Sequence, residues 1–414
     1  MTATIPRLGV DLTDVAAYAD GFPHDAFTWL RQHDPVHWHE PTPTTPDGEG
    51  FWVVSRHADV LAVLRDPVTF SSDRGGIRQH GGTGLKDEGV SGTMLNMTDA
   101  PTHDRLRSLV NRGFTPRAIN ALEAELRRRT RRLLAAVGDA PFDAVHAFGR
   151  ELPAQAICIV LGVPEEDRRQ LMDWLDTGIE EDSPSIVGPG ATKHLRRYAA
   201  ELIAAKRADR DNAIMSTIVH ARGDDGSGLS ERELIAFFAL LFPAGAETTR
   251  SAISGAVKAF VDHPEQFAAV RANRQLLGPA VEEVVRWTTP SVYKRRTASR
   301  DTDLAGTTIR AGDKISVWEM SANRDERVFD EPFRFDVGRR PNPHVGFGFG
   351  AHFCLGASLA RLELRIAIDE LAEHFSAFEA AGAAEWTPNN RLFGLRRFRV
   401  RGRRSRANET ERST

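Results

Sequence analysis

Cysteine is scarce in this chain of 414 residues, which holds only Cys158 and Cys354. Two cysteines far apart in sequence exclude the dense disulfide scaffold of a small secreted protein. They also exclude a structural zinc site of the usual cysteine-rich kind. We therefore expect a protein of the reducing cytoplasm.

Long apolar runs are absent as well. The longest, Leu234–Ala246, contains Pro243 and Gly245 and falls short of the roughly 20 residues that span a bilayer. The segment Met1–Ala19 lacks a basic region followed by an apolar one, as a signal peptide would have. The sequence thus predicts no membrane anchor, and Leu234–Ala246 is interpreted as part of a buried helix.

Charge of one sign is not in excess, since the net charge is −3, and nothing global favours a nucleic-acid partner. One basic stretch, Arg396–Arg406, resembles a nucleic-acid patch. Phe398 and Val400 alternate with its arginines, however, as in an edge strand of a sheet. The polar segment from Gly402 to Thr414 is predicted to be a disordered tail, which leaves residues 1–401 as one domain.

Helical periodicity dominates the remaining chain. The clearest amphipathic segments are Ala118–Ala136, Glu231–Asp262, Leu276–Trp287 and Leu355–Phe375. Ser230 followed by Glu233 predicts a capping box at the start of the second of these. Strand patterns are few and short: Phe51–Ser55, Thr307–Ile309, Lys314–Trp318 and Phe398–Arg401. The fold class is predicted as mostly α with a small β portion.

The most informative motif is the glycine-rich loop from Phe347 to Gly356, which runs into the last long helix. Cys354 stands where free backbone N–H groups and the helix dipole stabilise negative charge, so a lowered thiol pKa is expected. The flanking glycines allow another group to approach the backbone closely.

Four interpretations of this loop compete. A lone cysteine is most often a buried, inert residue, which is our interpretation of Cys158 but does not explain the glycines around Cys354. A cysteine nucleophile would use His352 as its base, but no third orienting group is apparent. The glycine spacing does not fit a nucleotide-binding loop. An axial haem thiolate is the remaining interpretation.

A second motif lies inside the long central helix, at Ala244–Thr249. The Thr248 hydroxyl is predicted to donate a hydrogen bond to the Ala244 carbonyl, four residues earlier, which bends a helix beside the weak point Gly245. Taken alone, Glu247 and Thr248 have an alternative interpretation as a solvated patch after an apolar run.

The two motifs together resemble those of the cytochrome P450 family. The family's haem loop is matched at Phe347, Gly350, His352, Cys354 and Gly356. The resemblance implies a single helical domain around one haem b (iron protoporphyrin IX), with Cys354 as the iron ligand. It also implies that Phe347, Gly350, Gly356 and Ala244 contact the haem.

Further roles follow from the same resemblance. Glu247 and Thr248 would manage proton delivery to dioxygen, with Pro243 a departure from the family's usual aliphatic residue. Candidates for binding the haem propionates are His103, Arg107, Arg296 and His352. A Glu–Arg–Arg cluster that supports the fold is expected from Glu283, Arg286 and Arg334, although Glu283 and Arg286 alone resemble a surface pair.

The implied reaction inserts one oxygen atom from O₂ into a C–H bond of an apolar substrate, with electrons from a ferredoxin and its reductase. A steroid, a terpenoid or a branched lipid is expected as substrate, and a monomer as the working form. The pocket is expected to draw on Ser71–Gly92, Gly178–Lys193, Leu240–Ala244 and Pro290–Tyr293. The alternatives are a natural-product tailoring enzyme (aromatic coupling, or macrolide or peptide oxidation) and a non-catalytic haem sensor or carrier.

Overall fold

Helices are the main elements of the structure, a computed structural model that describes residues 9–138, 140–180 and 189–405. The α-helices are α1 (His24–His33), α2 (His57–Arg65), α3 (Thr102–Asn111), α4 (Pro116–Asn120), α5 (Glu123–Ala136), α6 (Glu151–Leu161), α7 (Arg168–Glu180), α8 (Pro189–Ala208), α9 (Ile214–His220), α10 (Glu231–Asp262), α11 (Pro264–Ala272), α12 (Leu277–Thr288), α13 (Glu319–Ala322) and α14 (Ala357–His374). Among these helices, none is both long enough and apolar enough for a bilayer crossing.

The strands are short and fall into four sheets. They are β1 (Val36–His39), β2 (Phe51–Val54), β3 (Phe70–Ser71), β4 (Phe142–Asp143), β5 (Lys294–Ala298), β6 (Thr302–Leu304), β7 (Thr307–Ile309), β8 (Lys314–Val317), β9 (Phe375–Ala380), β10 (Glu385–Trp386), β11 (Leu395–Arg397) and β12 (Arg399–Arg404). The largest sheet has the order β1-β2-β8-β5-β3, in which β2 and β8 are parallel and the other neighbours antiparallel. Strands β6 and β7 form one antiparallel pair, and β10 and β11 another.

Helix α10 runs through the largest apolar core and has the bounds that the sequence predicts. The predicted capping box is confirmed: the Glu233 N–H donates to Ser230 Oγ, and the Ser230 N–H donates to a Glu233 carboxylate oxygen. The helix stays continuous through Pro243 and packs against α6, α8, α12 and α14. It therefore carries the second motif into the centre of the molecule.

Three predicted helices begin or end away from their predicted bounds, and one of them, α12, differs by only one residue at each end. The segment predicted as one helix from Ala118 to Ala136 forms α4 and α5, since Thr115 caps an early helix with Pro116 at its first position. The last long helix begins at Ala357 instead of Leu355 because the Cys354 N–H is bonded to the Phe347 carbonyl in the preceding loop, at 2.9 Å.

The strand predicted at Phe398–Arg401 forms as β12, but its predicted place at the edge of a sheet is wrong. Strand β12 lies in the middle of a three-stranded sheet, between β4 and β9, and it continues past the expected boundary at 401. Gly402 pairs with Phe378 and Arg404 with Phe375, so the first residues of the expected tail belong to the sheet. Long arginine side chains reach solvent from a central strand as easily as from an edge strand. The alternation of arginine with apolar residues therefore did not distinguish a central strand from an edge strand.

Candidate active site

The loop that carries Cys354 is held by its own backbone. The Gly348 N–H donates to the Val345 carbonyl at 2.8 Å, the Phe353 N–H to the Gly350 carbonyl at 3.0 Å, and the Cys354 N–H to the Phe347 carbonyl at 2.9 Å. These bonds fix the shape of the loop. The cavity that the loop lines is also lined by residues of α3, α10 and β5. Cys354 and Phe347 line this cavity, as the sequence predicts for a ligand loop.

Glycine is needed for different reasons at positions 350 and 356 of the loop. Gly350 has a φ of 72°, and a Cβ atom there would stand 2.6 Å from the Leu64 carbonyl oxygen of α2. Gly350 is therefore a packing position and is not part of the cavity lining. Gly356 does line the cavity, and a Cβ atom there would meet no protein atom within 4 Å. The second glycine thus leaves space for a group beside Cys354.

The thiol of Cys354 opens into the cavity while the cavity itself is buried. Burial raises the pKa of this thiol, against the Gly356 N–H, Lys294 and Arg107, which favour the thiolate. The sequence prediction of a lowered pKa is therefore wrong for the thiol alone. Loss of hydration raises the pKa by more than the backbone N–H at the start of the helix lowers it. A bound metal cation reverses that balance, since a coordinating thiol is deprotonated outright.

Helix α10 presents the second motif to the same cavity. The Thr248 hydroxyl donates to the Ala244 carbonyl oxygen at 2.7 Å, which confirms the predicted hydrogen bond. Ala244, Gly245 and Thr248 all line the cavity. Glu247 is buried but does not line it, and its carboxylate lies 3.0 Å from the Arg250 guanidinium, one turn further on.

The four predicted propionate ligands converge. His103, Arg107, Arg296 and His352 all line the cavity, and the rings of His103 and His352 lie 4.2 Å apart. Burial lowers the pKa of His352 to about 2, with further lowering by Arg296, His103 and Arg107. Burial also lowers the pKa of Arg296, to about 10, and that of Arg107. Burial therefore disfavours the charged forms of His352, Arg296 and Arg107, and an anion bound in this cavity would offset that cost.

The donors of this group fit the haem that the family resemblance implies. The buried Nε2 atom of His103 has no hydrogen-bond partner among the described residues. Arg107 likewise donates to none of them, and Arg296 donates only to the neighbouring Arg295 carbonyl. Two carboxylates would satisfy these donors, since guanidinium and imidazole bind carboxylate well. With the free thiol of Cys354 and the open face of Gly356, the residues fit a haem.

The support cluster forms with a different second arginine. Glu283 is fully buried and accepts two hydrogen bonds of 2.7 Å from Arg286, and Arg339 lies 3.2 Å from the same carboxylate. The side chain of Arg334 is instead exposed and paired with Glu331. Arg334 contributes its carbonyl oxygen, which accepts from Arg286 and from Arg339. A turn from Asp336 to Arg339 folds the later arginine back, which the sequence spacing did not reveal.

Glu282, next to that cluster, was missed by the sequence analysis. Its carboxylate accepts two hydrogen bonds from Arg361 of α14, at 2.7 and 2.9 Å, and lies 3.0 Å from His344. The Arg361 guanidinium also lies 4.5 Å from the centre of the Phe347 ring. Glu282 therefore links α12 to α14 through Arg361. It also links α12 to the segment before the thiolate loop, directly at His344 and through Arg361 at Phe347. The only sign in the sequence that Glu282 has a structural role was its position directly before Glu283.

The remaining cavity lining agrees in part with the expected pocket. Leu240, Leu241, Pro290, Ser291 and Thr83 come from three of the predicted segments. Most of the fourth, Gly178–Lys193, lies outside the residues whose side chains are described. Lining residues that the sequence did not indicate include Asn96, Phe114, Phe237, Glu363, Arg391 and Leu392. Glu363 is notable because burial raises its carboxyl pKa well above the usual range.

Comparisons with known proteins agree with this geometry. The family model described as Cytochrome P450 matches residues 189–397. The chain is 50% identical over 409 residues to a Mycobacterium tuberculosis protein named cytochrome P450 126, covering 97% of this chain and 99% of the relative. It is 37% identical over 412 residues to the Steroid C26-monooxygenase of the same organism, covering 96% and 94%.

A solved structure gives the same result for the fold. A Mycobacterium marinum cytochrome P450 in complex with pseudoionone is 34% identical and superposes with a TM-score of 0.85, covering 94% of this chain and 98% of that one. The predicted fold class, mostly α with a small β portion, is confirmed over nearly the whole chain.

Proposed function

The chain belongs to the cytochrome P450 family and is a monooxygenase, and we propose that it hydroxylates a steroid, a terpenoid or a branched lipid. The observation that carries this proposal is the lining of the cavity above the thiolate loop. It combines the proton-bearing Thr248 hydroxyl with apolar side chains from α10 and from the loop after α12, among them Leu240, Leu241 and Pro290. Such a lining suits an apolar molecule held beside a single site of oxidation.

The proposed cofactor is haem b, with Cys354 as its thiolate ligand. The haem, when bound, supplies the redox chemistry of dioxygen, to which a cysteine ligand adds electron density that favours O–O cleavage. In this proposal His103 and Arg107 hold one propionate, and Arg296 and His352 hold the other. Their uncommitted donors support this assignment.

The protein's own part in the reaction is to supply protons and to exclude water. Thr248 Oγ1 donates to the Ala244 carbonyl in this structure, and rotation about χ1 would turn the same proton towards the cavity. In this proposal Glu247 passes protons on to Thr248, the next residue. Glu247 is buried and is paired with Arg250, whose side chain is partly exposed and so connects the pair to solvent. A relay of this kind argues for an oxidising enzyme over a haem sensor or carrier.

Electrons are proposed to come from a separate ferredoxin and its reductase, and a monomer in the cytoplasm is proposed as the working form. Both cysteines are free thiols, and Cys354 acts as a ligand only while it stays unpaired. A reducing compartment satisfies that requirement.

The test starts from haem-loaded protein and a panel of steroids, acyclic terpenes and branched fatty acids. Ligands are ranked by the change in the Soret spectrum and then incubated with NAD(P)H, a bacterial ferredoxin and its reductase under isotope-labelled dioxygen. We expect a hydroxylated product that carries one labelled oxygen atom. A panel in which no compound changes the spectrum, or products without label, would contradict the proposal.

A further inference from the structure

Three polar residues of the cavity lining are joined by hydrogen bonds. Thr83 and Asn96 precede α3 and Arg391 follows β10, and all three line the cavity; we call them the Thr83 cluster. Thr83 Oγ1 accepts a hydrogen bond of 2.7 Å from Arg391 Nη2 and one of 3.4 Å from Asn96 Nδ2. The three side chains therefore form one connected group.

The backbone holds this cluster in place before any ligand arrives. The Asn389 side chain accepts from the N–H groups of Arg391 and Leu392, both at 2.8 Å, and the Arg391 carbonyl accepts from the Val292 N–H at 3.1 Å. The Thr83 carbonyl accepts from the N–H of Arg295 in β5, at 3.0 Å. A site fixed in this way loses little entropy when it binds.

Hydrogen-bonding capacity is left over in the cluster. Asn96 Oδ1 is buried and has no partner among the described residues. Arg391 donates one side-chain hydrogen bond, to Thr83, and pairs with Glu88 at 3.6 Å, which leaves further guanidinium N–H groups uncommitted within the described part of the chain. A buried polar atom without a partner costs free energy, and such atoms are rare in native proteins. The cluster therefore offers one acceptor and several donors to a ligand.

One functional group matches that combination. A hydroxyl accepts from Arg391 and donates to Asn96 Oδ1 at the same time. A ketone accepts but leaves Asn96 Oδ1 unpaired. A carboxylate has no proton for Asn96 and would meet the negative charge of Glu88 on the same guanidinium.

We propose that the Thr83 cluster binds the hydroxyl group of an otherwise apolar alcohol and thereby fixes which C–H bond of the substrate is presented for oxidation. This inference rests on the proposed function, because it assigns the substrate class within the same cavity. The haem propionates do not account for the cluster, since His103, Arg107, Arg296 and His352 supply their donors.

The experiment compares three ligands that share one apolar skeleton: cholestane, cholestanol and cholestanone. Dissociation constants are measured by spectral titration of the haem-loaded enzyme, with calorimetry as a check. For the wild-type enzyme we expect cholestanol to bind about a hundredfold more tightly than cholestane, the effect of two net hydrogen bonds. Cholestanone should lie between the two, because it uses Arg391 alone.

Two variants separate the two contacts. Asn96→Leu should bring cholestanol to the affinity of cholestanone, while Arg391→Gln should reduce the advantage of both over cholestane. The matched control is Leu240→Val, an apolar lining position, which should change all three affinities in the same direction and preserve their ratios. The CO-bound spectrum and melting temperature of each variant show that it is folded and loaded with haem.

The outcomes distinguish the two proposals. Equal binding of cholestane and cholestanol by the wild-type enzyme would mean that water satisfies the cluster, and would overturn this inference alone. Retention of the full preference for cholestanol in both Asn96→Leu and Arg391→Gln would do the same. Binding of none of the three compounds would contradict both this inference and the steroid part of the proposed function.

Discussion

The imidazole rings of His103 and His352 lie 4.2 Å apart, although one belongs to α3 and the other to the loop that ends at Cys354. Arg107 and Arg296 line the same cavity. Helix α3 and the thiolate loop therefore bring these side chains to one part of the cavity, and in the proposed site the haem propionates would bind the two elements together.

Haem retention should depend on that shared site. His103→Phe keeps a ring in contact with His352 but removes the unpartnered Nε2 donor, so we expect haem to leave about tenfold faster, as for the loss of one hydrogen bond to a charged group. The measurement is the rate of haem transfer to apomyoglobin. The control is His146→Phe, since His146 is exposed and paired with Asp143. Equal transfer rates for the two variants would remove His103 from the cofactor site.

The ligand assignment separates the two cysteines. Cys354→Ser should abolish the strongly red-shifted Soret band of the reduced, CO-bound protein, because serine does not provide a thiolate. Cys158→Ser should keep it: Cys158 is buried in α6, where burial raises its thiol pKa to about 12. The absorption spectrum of the reduced, CO-treated variants decides the matter, and the reverse result would reassign the ligand.

The corrected support cluster predicts a contrast between two arginines. Arg339→Ala leaves Glu283 short of one charged partner in a buried site, and we expect a loss of about 3–5 kcal/mol in unfolding free energy. Arg334→Ala removes an exposed side chain and keeps the carbonyl that the cluster uses, so its effect should stay within about 0.5 kcal/mol. Denaturant unfolding and haem content measure both. Similar losses in the two variants would argue for the arrangement first expected from the sequence.

Thr248 should control how electrons are used. Thr248→Ala removes the hydroxyl proton but keeps the thiolate and most of the cavity, so substrate binding should survive. General acid help is worth roughly a hundredfold to ten-thousandfold in rate, and we expect product per NAD(P)H to fall at least about tenfold while peroxide rises. Thr248→Ser keeps the hydroxyl and serves as the control. Unchanged coupling in the alanine variant would show that this relay is not used.

Glu282 should make stability depend on pH in the acid range. Burial alone would raise its carboxyl pKa, but Arg361 and His344 more than offset it and lower the pKa to about 2 from the usual 4.5. The folded state thus binds this proton less readily than the unfolded state does. The stabilisation is fully present above pH 4.5 and is lost as the pH falls towards 2.

Glu282→Gln removes that contribution. Its melting temperature should lie below that of the wild type at neutral pH, and the difference should shrink as the pH falls from 4.5 towards 2. Far-ultraviolet circular dichroism across this pH range measures it, with Glu385→Gln, an exposed position, as the control. A difference that stays constant with pH would show that the ion pair does not act through this titration.

The parts of the fold that the sequence predicted are those set by local signals. Helix α10 has a capping box and a long periodic pattern, and its bounds agree with the structure. The Thr248–Ala244 hydrogen bond is also local, since it depends on helix geometry alone. Contacts between distant segments were harder to predict. Arg339 replaces Arg334 because of a turn, and Asn96 and Arg391 are brought to the same Thr83 hydroxyl only by the tertiary fold.

The place of β12 in the chain has a consequence for how the protein is made. This strand (Arg399–Arg404) lies between β4, near residue 142, and β9. Strand β4 therefore has no partner in this sheet until β12 has left the ribosome. Cys354 also emerges late, long after α3 with His103 and Arg107. The segments that precede Cys354 must therefore stay partly assembled until the thiolate loop appears, and we expect the cofactor to be captured late in folding.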